Sequence, residues 1–245
     1  MYGDPSFGAK NTAVCITPPL CTQPALVPAK HPNNLIAAIE TRCYAVLNDC
    51  TPGVEYTRYH QEFIEFLQKQ GEKWGQGRPC ELREVLENQN TPRQNARNSS
   101  DFVWVDAQEP EVKAFPKAEC YATAGPTRII SGMNNTYVLD ASRTVYAFKK
   151  DVLDGATWYA PGNSPRWIEE RIYDVCRENE TLCETDYSKW DGTVSRWLRN
   201  LEMSIINTWL HPEERKHFND TMAKEPRCYA RIGDFTYEPG DARLS

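Results

Sequence analysis

A chain of 245 residues has room for one sizeable core, or for a large and a small lobe. Its 40% apolar and 25% charged residues are an ordinary globular mixture. A net charge of -6 argues against a protein that holds nucleic acid through overall positive charge, but a local basic groove stays open, because counterion release depends on the charges beside the phosphates.

No apolar run approaches bilayer-spanning length, and the opening MYGDPSFGAKN lacks the apolar core of a signal peptide. The cysteines, at 15, 21, 43, 50, 80, 120, 176, 183 and 228, form no CxxC pair, and histidines are few, which argues against a zinc knuckle. They are expected to be reduced, partly buried thiols in a cytosolic compartment. Asn-x-Ser/Thr sequons begin at Asn98, Asn134, Asn179 and Asn219, but they matter only in a secreted protein, and nothing else suggests secretion.

Residues 1 to 32 are rich in proline and small polar residues, which predicts an extended segment lying over something else. LIAAIETRCYAVL, 35 to 47, has helical spacing, with Asn33 or Asn34 as its cap. YTRYHQEFIEFLQKQ, 56 to 70, places Tyr56, Tyr59, Phe63, Phe66 and Leu67 on one stripe, with His60 beside it as a structural or surface residue. A short helix over CELREVLENQ leads into NTPRQNARNSS, read as a polar basic loop. From there to about 160 the pattern suggests short strands and turns: DFVWVDA, VKAFPKAECY and TRIISGMNNTYVLDASRTVYAFKK. The aromatic-rich WYAPGNSPRW that follows could serve stacking on bases but reads first as a packed turn between lobes.

RWIEERIYDVCRE, 166 to 178, reads as a helix with Trp167, Ile168, Ile172, Tyr173 and Cys176 inward. TLCETDY is a strand candidate, and TVSRWLRNLEMSIINTWL, 193 to 210, is the strongest helix, with Thr193 as its cap. PEERKHFNDTMAKE starts with proline in its first turn and glutamates at the positive helix end. CYARIG and FTYEPGDARLS then predict a hairpin.

Two aspartates flank the turn before the strong helix. Asp186 is expected at a strand end and Asp191 at the helix start, both facing one cleft. Spacing alone leaves two readings open, a pair of helix-start carboxylates or half of a magnesium site. The surrounding letters, ETDYSKWDGTVS, resemble the first palm motif of RNA-dependent RNA polymerases from positive-strand RNA viruses of the nodavirus and tombusvirus-like type.

The resemblance implies that Asp186 is a catalytic metal ligand. It implies that Asp191, also catalytic, lies by the ribose of the incoming nucleotide and helps to select a 2'-hydroxyl. Gly192 would allow close packing behind it. VKAFPKAECYATAGPTRIIS resembles the fingers motif lining the nucleotide channel, which makes Lys117, Glu119 and Arg128 the residues meeting the triphosphate, with Lys113 as a further candidate. Residues 113 to 150 carry six Lys or Arg against Glu119 and Asp140, a locally basic segment that suits phosphoryl transfer. The stretch NTPRQNARN looks more distantly like the template-contacting motif, through Arg93, Gln94 and Arg97; a plain surface loop fits it equally.

The family's next palm motif, its Gly-Asp-Asp hairpin and its thumb have no counterpart here. The fold class expected is therefore α+β, a partial right-hand polymerase fold with fingers and the beginning of a palm. Residues 1–80 would be an N-terminal extension and upstream fingers, 81–180 fingers, and 181–245 the start of a truncated palm. As an isolated chain it is expected to be inactive. The implied activity is template-directed nucleotidyl transfer from nucleoside triphosphates to an RNA 3' end with Mg2+, for which Mn2+ can substitute. Implied partners are template and product RNA, the missing palm and thumb portion and other viral replicase regions. The implied place is the host cytoplasm, at a membrane-associated replication complex reached through regions absent from this chain. Against this stand a non-catalytic RNA-binding module using the basic segment, and an unrelated α+β phosphotransferase; the lack of a GxxxxGK loop counts against the common form of the latter.

Overall fold

The computed structural model describes residues 11–13, 26–28, 31–46, 53–70, 73–101, 111–121 and 125–238. Strands β1 (Asn11–Ala13) and β2 (Leu26–Pro28) pair antiparallel. Helix α1 (Pro32–Ile39) runs into a wider π-type turn at Glu40–Tyr44. Helices α2 (Val54–Gln70), α3 (Leu82–Asn88) and α4 (Pro92–Asp101) follow, then strands β3 (Val112–Pro116) and β4 (Ile129–Met133). Helix α5 (Asn135–Phe148) ends in a second π-type turn at Lys149–Leu153. Helices α6 (Pro165–Glu178), α7 (Trp190–Thr193), α8 (Arg196–Trp209) and α9 (Pro212–Met222), a 3-10 turn at Glu225–Arg227, and strands β5 (Ala230–Ile232) and β6 (Phe235–Tyr237) complete the order. None of the helices described is long and apolar enough to cross a membrane.

The main sheet has the order β4-β3-β5-β6, with β3 parallel to β5 and its other neighbours antiparallel. Alternation sets its faces: Val112 and Ala114 point inward while Lys113 and Phe115 are exposed, and Ala230 and Ile232 flank the exposed Arg231. The hairpin β5–β6 turns through Gly233 and Asp234, and Gly233 takes the left-handed φ of 57° that such a turn requires. One core lies where this sheet meets α1, through Ile39, Cys43, Val112, Ala230, Ile232 and Tyr237. A second core is helical and gathers Ile64, Leu67, Phe148, Ile205, Trp209 and Phe218 from α2, α5, α8 and α9.

Several elements differ from what the sequence pattern predicts. TLCETDY forms no strand: residues 181 to 187 are all exposed and join no ladder among the described residues, and a strand without a neighbour has nothing to hold it. The strong helix is broken. Thr193 Oγ1 donates to the Trp190 carbonyl at 2.7 Å inside the short α7, and Ser195 caps α8 instead, accepting from the Leu198 N–H at 3.3 Å. NTPRQNARNSS is not a loop but mostly α4. Thr91 and Gln94 form a reciprocal capping box (Gln94 N to Thr91 Oγ1 at 3.4 Å, Thr91 N to Gln94 Oε1 at 3.3 Å), with Pro92 preset at the first helical position. Residues 135 to 148 are helix α5, not strand, with Thr144, Ala147 and Phe148 buried at helical spacing.

The inward faces also differ. In α2 it is Ile64 and Leu67 that are buried, while Tyr56, Tyr59, Phe63 and Phe66 stay exposed. His60 is half-buried and meets the Trp197 ring edge-on, 6.0 Å between centroids. Helix α6 buries none of its residues: Ile172 and Tyr173 are 58% and 65% exposed, because no described element covers that face. The cap of α1 is His31, which accepts from the Asn33 N–H at 3.2 Å with Pro32 next to it, not Asn33 or Asn34. Trp158, from the aromatic-rich turn, is half exposed and packs against Phe63 and Phe66. Cys43 and Cys228 are buried thiols, whereas Cys120, Cys176 and Cys183 are exposed; Cys15, Cys21 and Cys50, and the predicted strand over 102 to 107, lie outside the described residues.

Candidate active site

The hairpin β3–β4 organises the basic side of the site. Where the strands diverge, Lys117 N–H still donates to the Arg128 carbonyl at 2.8 Å, so the two cations share one neck. Glu119 joins them: its carboxylate lies 2.8 Å from Lys117 Nζ and 3.4 Å from Arg128 Nε. Tyr121 closes the loop by donating its hydroxyl to Glu119 at 2.6 Å and accepting the Arg128 N–H at 3.2 Å. Thr127, buried behind them, donates to the Lys117 carbonyl at 3.2 Å. Lys113 stands apart on β3, exposed and 3.8 Å from Glu111, opposite Arg231 of β5.

The Glu119 carboxyl is held below the usual carboxylate range, first by the hydrogen bond from Lys117 and then by that from Tyr121. A depressed carboxylate keeps its favourable interaction above its ordinary value and loses it as pH falls through the lowered one. The clamp is therefore expected to stay closed at neutral pH and to open only below about 4.5, the ordinary Glu value. An NMR titration of the Glu119 side chain checks this; a midpoint at or above the ordinary value would show that the two cations do not hold it.

Across from the clamp, α7 and the π-type turn after α1 close a cavity of about 250 Å³. Its lining includes Arg128 and Ser131 from the hairpin, Arg42 from the turn, and Tyr187, Lys189 and Asp191 around α7. Gly192 fixes this arrangement: a Cβ there would sit 2.7 Å from the Arg42 carbonyl oxygen and 3.2 Å from the Val46 side chain. Only glycine lets α7 approach so closely. Lys189 holds a left-handed backbone (φ 54°, ψ 39°), unfavourable for a residue with a side chain, at the point where the acidic turn begins. The Tyr187 and Trp190 rings pack beside it at 5.0 Å.

Arg128 and Asp191 thus meet at one cavity, but not every predicted residue joins them. The Lys117 side chain meets Arg128 only through Glu119 and is outside the cavity lining, and Asp186 is exposed and outside it too. The expectation that both aspartates face one cleft is met only by Asp191; without a strand under it, Asp186 lies on an uncovered segment, and its Oδ1 accepts the Tyr187 N–H at 2.9 Å. Gln94 is engaged in the α4 capping box and Arg97 donates to Gln89 at 2.8 Å, while Arg93 is exposed.

Among the described residues no group of three or more His, Cys, Asp or Glu gathers as a metal site. Asp186 offers one exposed carboxylate, a donor of the right hardness for magnesium, and the other ligands of an octahedral ion have to come from elsewhere. Sequence reasoning missed Arg42, Lys189 and Tyr187. Arg42 carried no signal, being one polar residue in an apolar helical pattern; the KWDG turn, which needs an unusual backbone, was the readable hint for Lys189.

The arrangement is that of a mixed α/β protein with a cation clamp and an acidic turn on one cleft. Residues 67–237 match the family described as viral RNA-dependent RNA polymerase, and this chain belongs to that family. It is 33% identical over 246 residues to the RNA-directed RNA polymerase of Striped jack nervous necrosis virus, covering 99% of this chain and 25% of that protein. The Pariacoto virus polymerase is 33% identical over 231 residues, covering 92% of this chain and 23% of that protein, and the Flock house virus polymerase is 28% identical over 213 residues, covering 83% and 21%. The chain spans about a quarter of the length of the first two of these curated relatives.

Proposed function

We propose that this chain is the nucleotide-receiving part of a nodavirus-like RNA-directed RNA polymerase, which adds nucleotides to an RNA 3' end under direction of a template. The observation that carries the reading is the shared cavity of Arg128 and Asp191, with Lys117 tied to Arg128 through Glu119. In this reading the triphosphate takes the place of the Glu119 carboxylate between Lys117 and Arg128. Arginine suits planar, two-point phosphate contact, whereas lysine acts as a mobile point charge. Lys113 then serves as a peripheral attraction for the nucleotide. Asp191 accepts from the ribose hydroxyl of that nucleotide.

Asp186 contributes one carboxylate to magnesium, for which manganese can substitute. When bound, the ion supplies activation of the attacking hydroxyl and charge stabilisation on the phosphates. Residues 1–80 act as an N-terminal extension and upstream fingers, 81–180 as fingers, and 181–245 as the start of the palm. Arg93, Gln94 and Arg97 on α4 face the template. Template and product RNA, nucleoside triphosphates, further palm and thumb segments and other replicase regions complete the machine. Its place is the host cytoplasm, at a membrane-associated replication complex attached through other regions of the protein.

Comparing two cations tests the site. In the complete polymerase, Arg128→Ala is expected to cost about 2–5 kcal/mol in kcat/KM for nucleotide, the range for a desolvated charge pair. Lys150→Ala removes a cation that is exposed and paired with Glu84 at 3.2 Å, and should cost under about 1 kcal/mol. Equal effects would reduce the site to general surface charge.

A further inference from the structure

A second cleft lies by the sheet's short strands, with a lining that shares no residue with the first cavity; of the residues assigned above, Lys113 borders it, 3.8 Å from Glu111 and opposite Arg231. It encloses about 400 Å³ and is lined by Lys224, Arg227, Tyr229, Arg231 and Glu111, among others. Three cations face one carboxylate, in a chain whose net charge is -6. That carboxylate is weakly engaged: Glu111 stands 3.9 Å from Arg231 and 3.8 Å from Lys113. Among the described residues no ion pair ties the side chain of Lys224 or Arg227. Arg231 is held only loosely by Glu111, and Lys224 acts on Asp220 through space without a close ion pair. Loosely engaged cations beside a cavity can receive an anion that arrives from outside.

The backbone carrying them is anchored on both sides. Glu225, only 8% exposed, is held by the Arg199 guanidinium and accepts the Tyr137 hydroxyl at 3.3 Å. This anchors the first residue of the 3-10 turn and leaves Lys224 just before it and Arg227 at its end exposed. Arg227 N–H donates to the Lys224 carbonyl and Cys228 N–H to the Glu225 carbonyl, both at 3.2 Å. Beyond the turn, the Tyr229 carbonyl accepts the Val112 N–H at 3.4 Å, so its backbone is tied to β3 while the residue remains 61% exposed. An exposed aromatic ring on a fixed backbone, set between cations, is a platform for an unpaired base next to its phosphates.

We infer that this cleft binds a single-stranded RNA segment, with phosphates on Lys224, Arg227 and Arg231 and a base stacked on Tyr229. The choice of RNA as the strand rests on the polymerase reading; the phosphate and stacking chemistry rests on the cleft.

The test is fluorescence anisotropy of a labelled 12-nucleotide single-stranded RNA with the 245-residue chain, across a salt series. All three cations are exposed, so Lys224→Ala, Arg227→Ala and Arg231→Ala combined should fold, as circular dichroism would verify. Affinity is expected to fall about tenfold or more, and the slope of log affinity against log salt to flatten by about 0.7 per cation removed. Tyr229→Ala should weaken binding about tenfold and Tyr229→Phe hardly at all. Lys216→Ala, an exposed cation paired with Asp220, is the control and should change nothing.

The inference is overturned if the chain binds no single strand at any salt, or if the triple variant binds like the parent. It is equally overturned if heparin competes as well as RNA while Tyr229→Ala is silent, since the cleft would then be a general polyanion surface. No nucleotide chemistry enters this measurement. Its failure leaves the polymerase reading standing, and failure of the Arg128 test leaves the cleft standing.

Discussion

In the complete polymerase, Asp186→Asn is expected to lower nucleotide incorporation by about a thousandfold while RNA binding stays largely intact. The substitution is unusually clean in this fold. Asp186 is exposed, and its one hydrogen bond among the described residues is Oδ1 accepting the Tyr187 N–H, which the asparagine oxygen can still accept. Shape and backbone are kept, and only the negative charge is lost. If that charge is a ligand for a divalent ion, its removal forfeits several kcal/mol of transition-state stabilisation, and each 1.4 kcal/mol is about tenfold in rate. If Asp186 were only a local cap, the loss would be a few-fold at most. Asp191→Asn should be milder, appearing mainly as a weaker preference for ribonucleotides over deoxyribonucleotides. A primer-extension assay over magnesium and manganese series, beside an RNA-binding measurement, reads both variants. Near-normal extension by the Asp186 variant would defeat the catalytic assignment, and loss of RNA binding in step with activity would mark the residue as structural.

What could be read from the sequence was mostly what is local. α9 announces itself by Pro212 and two first-turn glutamates, and the β5–β6 hairpin by Gly233 and Asp234 between alternating strands. The capping box of α4 was equally legible in Thr91-Pro92-Arg93-Gln94, but the polar composition of the segment hid it. Other features depend on partners distant in sequence. Period alone cannot say that Ile64 and Leu67, not the aromatics of α2, face the helical core, because both sets lie within one broad apolar arc. Nor can it show that, among the described residues, α6 has no covering element and residues 181 to 187 have no neighbouring strand. In the candidate site, Asp191 and Arg128 were visible through their motifs, while Arg42 enters only because Gly192 lets α7 settle onto the turn after α1. A close approach of that kind is a tertiary fact that sequence marks only by a glycine.

Gly77→Ala is expected to destabilise the chain by about 3 kcal/mol, at the upper end of ordinary overpacking, and to lower Tm by roughly 6–12 °C for a protein of this size. A Cβ at Gly77 would lie 2.2 Å from Cε2 and 2.3 Å from Cδ2 of Trp209, well inside contact distance. Neither partner can retreat. Trp209 is fully buried and packs edge-on against Phe148 at 5.5 Å. Gly77 is pinned on both sides, donating its N–H to the Trp209 carbonyl at 2.9 Å and accepting the His211 N–H at 2.8 Å. Gly75 N–H adds a bond to the Thr208 carbonyl at 3.1 Å. The clash is with the indole ring, so its removal should relieve it. In a Trp209→Phe background the Gly77→Ala penalty is expected to fall by more than half, the coupling that a double-mutant cycle measures. Among the described residues Trp209 Nε1 is moreover a buried donor without a hydrogen-bond partner, so phenylalanine forfeits packing area there but no hydrogen bond. Thermal melts of the parent, the two single variants and the double variant give all four corners of the cycle. A Gly77→Ala melt within about 2 °C of the parent would mean that the loop before α3 is free to move off Trp209, and that the helical core is not closed by residues 73 to 80.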